Sequence, residues 1–135
     1  MRLKLACTLV AGSLAAVPFA GCGSSSSPKD AAKSYLKALS DGDYGKACGL
    51  ISKSAKQGIE SHAAGKKCPG ALSSALKSGA GAQAVAKFKD APITNVKTNG
   101  NKASATAQVK GIGPLPLQLV KEGGKWKVAL SSATG

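Results

Sequence analysis

Cys22 is the residue whose chemistry is best defined by its surroundings. It follows residues 19–21, at the end of an apolar run over residues 5–20 that begins after Arg2 and Lys4 and contains no acidic residue. A positively charged start, an apolar stretch and small residues before a cleavage point are typical of an export signal. The run is shorter than the roughly 20 apolar residues of a membrane-spanning helix. The sequence therefore predicts an exported chain.

Residues 19–22 read Phe-Ala-Gly-Cys and resemble a lipobox, the bacterial lipoprotein signal that usually reads Leu, a small residue, Gly or Ala, and the cysteine that is lipidated. Phe19 stands where Leu is usual. The resemblance implies a diacylglyceryl thioether on Cys22, removal of residues 1–21 as a signal peptide, and anchoring to lipid at the outer face of the cell membrane. A single acyl chain binds only marginally, so two or three would hold the anchor. An ordinary secretory signal with a chance cysteine is the alternative.

The mature chain divides into a tether and one domain. Residues 22–27 are the lipidated cysteine followed by a Gly/Ser stretch, whose composition is that of a flexible coil. Residues 28–135 are enough for one small domain with one hydrophobic core. Aromatic residues make up only 4% of the chain, so this core has to consist mainly of Ala, Leu, Val and Ile and would gain from a covalent staple.

Cys48 and Cys68 are the candidates for that staple. Disulfides persist in oxidising compartments, so export leads us to expect that the two cysteines pair, with a stabilisation of about 3 kcal/mol. Two free thiols, or a metal site shared with His62, are the alternatives. Structural zinc usually takes four ligands at recognisable spacings, and three scattered residues do not form that pattern. We therefore expect no metal and no other cofactor.

Groups that could perform acid–base catalysis are scattered along the chain. An enzyme cavity needs a carboxylate or histidine beside a tyrosine or a second acid. His62 is close to residues 65–67, Gly-Lys-Lys, and is expected at an exposed helix end. Of the six carboxylates, five fit helix caps, turns and a solvated helix face, at Asp30, Asp41, Asp43, Glu60 and Glu122, and none of the six, Asp90 included, is at an inward strand position. We therefore predict that the domain is not an enzyme.

The positive charge is almost entirely lysine and is spread along the chain. The formal net charge is +13 and falls to +11 when the leader with Arg2 and Lys4 is removed. Export excludes nucleic acid as the partner for this charge. One interpretation is a solvated, soluble surface. The other is attraction to anionic lipid headgroups or acidic envelope polymers, worth up to about 1 kcal/mol per lysine near a membrane.

Helices are predicted in the first half of the domain. Ser27 and Pro28 form a helix start, and that helix is expected to end near residues 41–42. Asp43 and Ser52 are predicted to cap a second and a third helix, and residues 69–77 read as a fourth.

The pattern changes to alternation from about Ala84, which predicts strands. Residues 99–100, Asn-Gly, are typical of a type I′ hairpin turn, and residues 122–124, Glu-Gly-Gly, predict a second turn. Helices followed by strands indicate an α+β domain, with the N-terminal helices packed on a curved antiparallel sheet of about four strands.

The order of these parts resembles the nuclear transport factor 2-like superfamily, in particular small lipoproteins of high-GC Gram-positive bacteria. The matching segments are residues 31–39, 41–44 and 47–48 in the helical half, and residues 101–106 and 117–128 in the strand half. The resemblance implies a helix-wrapped sheet that encloses a conical cavity. Relatives use such a cavity for catalysis, for binding an apolar ligand or a peptide, or keep it filled.

The apolar pattern predicts which residues would line this cavity. They are expected on the inward face of α-helices and strands, at Tyr35, Leu36, Tyr44, Val96, Val109, Leu117, Leu119 and Trp126. An apolar lining favours binding over catalysis. We therefore hypothesise a non-catalytic binding or interaction module in the cell envelope. A small enzyme with a polar pair in the cone, or a carrier of an apolar ligand, are the alternatives.

Overall fold

The computed structural model of the chain describes residues 27–130, in which five helices are followed by four strands. This confirms the predicted α+β class. The helices are α1 (Pro28–Ser40), α2 (Tyr44–Leu50), α3 (Lys53–His62), α4 (Cys68–Leu76) and α5 (Ala80–Ala86). The strands are β1 (Ile93–Asn99), β2 (Lys102–Val109), β3 (Gly113–Glu122) and β4 (Lys125–Ala129). Cys22 and residues 1–21 lie outside the described residues.

The predicted helix caps are confirmed. The backbone N–H of Asp30 donates to the Ser27 hydroxyl at 3.1 Å, and Pro28 occupies the first turn of α1. Asp43 accepts from the N–H of Lys46 at 2.9 Å at the start of α2. These side chains satisfy N–H groups that a helix leaves without an internal partner, and so they set where each helix begins.

α1 forms because its apolar residues recur at helical spacing and cover one side of the sheet. It buries six residues, Ala31, Ala32, Tyr35, Leu36, Ala38 and Leu39. The facing side chains of β2 include Ala103, Ala105 and Ala107, all buried. Because these alanines are small, the helix axis can lie close to the sheet, and Leu36 becomes almost fully enclosed.

The prediction that strands begin near Ala84 is wrong, because residues 80–86 form α5. Val85 and Phe88 are three residues apart, a spacing that fits a helical face as well as an irregular strand. Val85 is buried in the core and Phe88 packs against it. The first strand begins only at Ile93.

The sheet is an antiparallel meander with the order β1-β2-β3-β4. Its last hairpin, between β3 and β4, turns through Gly123 and Gly124, both with positive φ, as the sequence predicts. The first hairpin differs by one position. Asn99 still pairs with Lys102, so the turn residues are Gly100 and Asn101. Only Gly100 has positive φ, which is the type II′ pattern rather than type I′.

Val96 does not line an interior cavity, contrary to the prediction. β1 contains a register shift between Thr94 and Lys97, and Asn95 adopts a φ of +51°. A bulge places two residues opposite one and changes the alternation after it. Val96 is 37% exposed and Ile93 is buried. Because the two residues are three positions apart, their side chains would point to opposite faces even in a regular strand.

Candidate functional site

A disulfide between Cys48 and Cys68 organises one end of the domain, and it confirms the predicted pair. Cys48 lies near the end of α2, and Cys68 is the first residue of α4. Their Cα atoms are 6.1 Å apart across a sequence separation of 20 residues. Both residues are buried. The bond therefore ties α2 to α4 and encloses the whole of α3 in a covalent loop.

α3 and α4 pack against each other and leave an apolar groove along their contact, which we call the α3–α4 groove. Its volume is about 960 Å³. The side chains that form its apolar wall and floor are Ala55, Ile59, Ala63, Leu72, Ala75 and Leu130. The groove is open to solvent, so it is accessible from the surface.

The groove remains unfilled because the residues that face it are small. A side chain at Gly58 would meet no heavy atom within 4 Å, and Ala55, Ala71 and Ala75 each contribute a single methyl group. α3 contains no fully buried residue, although Ala55 and Ile59 are partly buried against the core. The helix thus presents an apolar stripe that its own domain covers only in part.

The rim of the groove carries positive charge. The Lys66 ammonium donates to the Ser74 hydroxyl at 2.9 Å, which holds a cation at the opening. His62, the last residue of α3, also lines the groove and is exposed, as the sequence predicts. An apolar floor beside an ammonium group suits an amphiphile with an anionic head.

Glu60 is the carboxylate of α3, and it has a structural role. Its Oε1 accepts from the backbone N–H of Cys68 at 3.0 Å, at the start of α4, where Lys67 provides no side-chain cap. The sequence predicts a solvated helix face for Glu60. A hydrogen bond between a side chain on one helix and the first backbone N–H of the next helix leaves no periodic pattern in the sequence, so it could not be predicted.

Most residues predicted to line a cone are buried in the core. Of the predicted residues, those at most 6% exposed are Tyr35, Leu36, Val109, Leu117, Leu119 and Trp126. Tyr44 is partly buried, and the Lys77 ammonium lies 5.9 Å from its ring centroid. None of these residues lines the α3–α4 groove. The periodicity therefore located the core correctly and missed the groove.

In the part of the chain that the structure describes, two buried side chains carry hydroxyl groups, Tyr35 and Ser52. Burial raises the pKa of Tyr35 to about 12, because the charged phenolate is poorly solvated inside the domain. Ser52 is fully buried, and its hydroxyl accepts from the N–H of Ala55 at 3.2 Å as the predicted cap of α3. Within residues 27–130, no three His, Cys, Asp or Glu side chains come together as a metal site would require.

No protein-family model, curated protein or solved structure matches this chain. Among residues 27–130, no helix has the length and apolar character needed to cross a membrane.

Proposed function

We propose that the chain is an exported lipoprotein, anchored through acylated Cys22, whose domain is a non-catalytic binding module with the α3–α4 groove as its site. The groove is the observation that supports the binding role. Its volume, about 960 Å³, falls within the roughly 300–1,000 Å³ typical of small-molecule sites. The lipobox-like residues 19–22 support the anchor.

The chemistry of the groove defines the proposed ligand as an amphiphile with one apolar chain and an anionic head. The hydrocarbon chain of the ligand would lie along Ile59 and Leu72, where burial of apolar surface contributes about 25 cal/mol per Å². The head would lie beside Lys66, whose ammonium is already held at the rim by Ser74. This moves the proposed apolar-ligand site from the interior of a cone to the surface of two helices.

Titration with dodecanoate tests the groove. The disulfide-bonded chain without its leader and anchor is titrated, and amide resonances are followed by two-dimensional NMR. We expect shifts concentrated at Ile59, Leu72 and Ala75. Ala75→Trp fills the groove and should abolish them. Gln57→Trp is the matched control, because Gln57 is exposed on α3 and does not line the groove. Equal binding by Ala75→Trp would refute the site.

Metabolic labelling with an alkyne fatty acid tests the anchor. The wild-type chain should incorporate the label and sediment with membranes, whereas Cys22→Ala should do neither. Cys7→Ala is the matched control, since this cysteine lies in the segment to be removed. A wild-type chain that is secreted without the label would contradict the proposed lipidation.

A further inference from the structure

We infer that one lysine-bearing face of the domain rests on anionic lipid headgroups of the membrane that holds the anchor. This face, called the α1 lysine face, consists of Lys29, Lys33 and Lys37 on α1, with Lys87, Lys89 and Lys110 beside them. The inference rests on the proposed lipidation of Cys22. It adds a partner surface and an orientation to the proposed function.

The three lysines of α1 point to one side of the helix. Lys29, Lys33 and Lys37 are spaced by four residues, so they lie one above another on the helix surface. All three are exposed, while the opposite side of α1 is buried against the sheet. The helix therefore carries its apolar stripe inward and a row of ammonium groups outward.

Other segments bring further lysines to the same side. A depression of about 450 Å³ is lined by Lys33 and Lys37 together with Lys89. An adjoining depression of about 870 Å³ is lined by Lys87 and Lys110. The two depressions share residues 90–92 as their common wall, so five of the six lysines line one continuous surface. Lys29 lies one helical turn before Lys33 on α1.

Acidic groups on this face are fewer than the lysines. Asp41 is paired with Lys37, and Asp90 lies in the shared wall. The hydrogen bond from Lys37, with the positive charges of Lys89 and Lys46 nearby, lowers the pKa of Asp41. Asp30, exposed in the first turn of α1, is a third carboxylate on this side. Six lysines against three carboxylates still leave an excess of positive charge.

The tether explains why this face, among many lysines of the chain, meets the membrane. Four residues lie between Cys22 and Ser27, the N-cap of α1, and the five Cα–Cα steps from Cys22 to Ser27 span at most about 18 Å at full extension. The acylated end therefore keeps α1 within reach of the headgroups. Lysines near an anionic surface gain about 1 kcal/mol each, or roughly fivefold in the docked population per lysine.

The lysines outside α1 and the α3–α4 groove lie beside different strands. Residues 87–92 lead into β1, whereas α3 packs against β4, and α1 itself contacts all four strands.

Site-resolved lysine labelling tests the orientation. The full acylated protein is reconstituted into vesicles of phosphatidylcholine alone, or of equal parts phosphatidylcholine and phosphatidylglycerol. Lysines are modified with a water-soluble N-hydroxysuccinimide ester and quantified by mass spectrometry. In the anionic vesicles we expect several-fold lower labelling of Lys29, Lys33 and Lys89. The matched set Lys53, Lys67 and Lys125, also exposed, should label equally in both.

High salt and substituted variants provide the second measurement. In 1 M salt the screening length falls to about 3 Å, so protection should be lost. The triple variant Lys29→Gln, Lys33→Gln, Lys89→Gln should lower the protection of Lys110, whereas Lys53→Gln, Lys67→Gln, Lys125→Gln should leave it unchanged.

Three results would overturn the docking face. They are equal labelling of both lysine sets in the two vesicle types, protection of the matched set instead, and protection by soluble polyaspartate without any by phosphatidylglycerol. Failure of the protein to float with pure phosphatidylcholine vesicles would refute the anchor itself. Flotation with equal labelling would refute only the docking face.

Discussion

The carboxylate of Glu60 on α3 accepts a hydrogen bond from the backbone N–H of Cys68, the first residue of α4. One contact thus joins α3 to the beginning of α4, at the cysteine that the disulfide ties to α2. The negative charge also lies at the N-terminal end of α4, where the helix dipole favours an anion.

Removing this cap should lower stability. Glu60→Ala is expected to reduce the free energy of unfolding by about 1 kcal/mol, because the N–H of Cys68 loses its acceptor. Urea unfolding of the oxidised protein measures the change. Glu60→Gln, which keeps an acceptor oxygen, should recover a substantial part of the loss. Wild-type stability in Glu60→Ala would show that the contact contributes nothing.

The disulfide should contribute about 3 kcal/mol through the loop that it closes. The double variant Cys48→Ala, Cys68→Ala should therefore unfold at a markedly lower urea concentration than the oxidised wild type. Reducing agent should destabilise the wild type and leave the double variant unchanged. Two reactive thiols in protein taken from the oxidising compartment would contradict the pairing.

The buried Tyr35 hydroxyl should make stability depend on alkaline pH. Its pKa is about 12 in the folded protein and about 10 when solvated. The unfolded chain therefore loses this proton first as the pH rises. The contribution of the protonated Tyr35 hydroxyl to the free energy of unfolding is fully present below pH 10 and declines as the pH rises toward 12. The decline amounts to at most about 3 kcal/mol.

Tyr35→Phe isolates that contribution. Both proteins carry the same other ionisable groups, so the informative quantity is the difference in unfolding free energy between wild type and variant. We expect this difference to shift in favour of the variant between pH 9 and pH 11.5. A difference that stays constant with pH would show that the hydroxyl is solvated in the folded state.

The exposure of Val96 can be tested with one substitution at two positions. Val109 is 2% exposed and Val96 is 37% exposed. Val109→Ala should cost about 2 kcal/mol, from lost apolar burial and the cavity left behind, and Val96→Ala about 0.5 kcal/mol or less. Urea unfolding compares them directly. Equal losses would place Val96 in the core, as the sequence pattern alone had predicted.

The features that the sequence predicts well are those encoded by neighbouring residues. Ser27 and Asp43 cap helices within three positions of themselves, and Gly123 with Gly124 makes a turn without help from elsewhere. Tyr35, Leu119 and Trp126 reach the core because their spacing is that of one helix face or one strand face.

The features that the sequence does not predict depend on contacts between distant segments. Glu122 accepts from the N–H of Lys53, at 3.3 and 3.2 Å to its two oxygens, across 69 positions, although a turn was its expected role. The α3–α4 groove depends on how closely two helices approach, which Ala55 and Ala75 do not reveal alone. The bulge at Asn95 likewise reflects the register with β2.

The covalent loop closed by Cys48 and Cys68 also determines what a protease can do to this domain. The turn after α3 is exposed and contains Ala64 and Gly65, both with positive φ, and such loop tips are preferred sites of nicking. A single cut there lies inside the loop, so the two fragments would stay joined through sulfur. The nicked chain would remain one particle, still attached to whatever holds its N-terminus, until a reductant separated it.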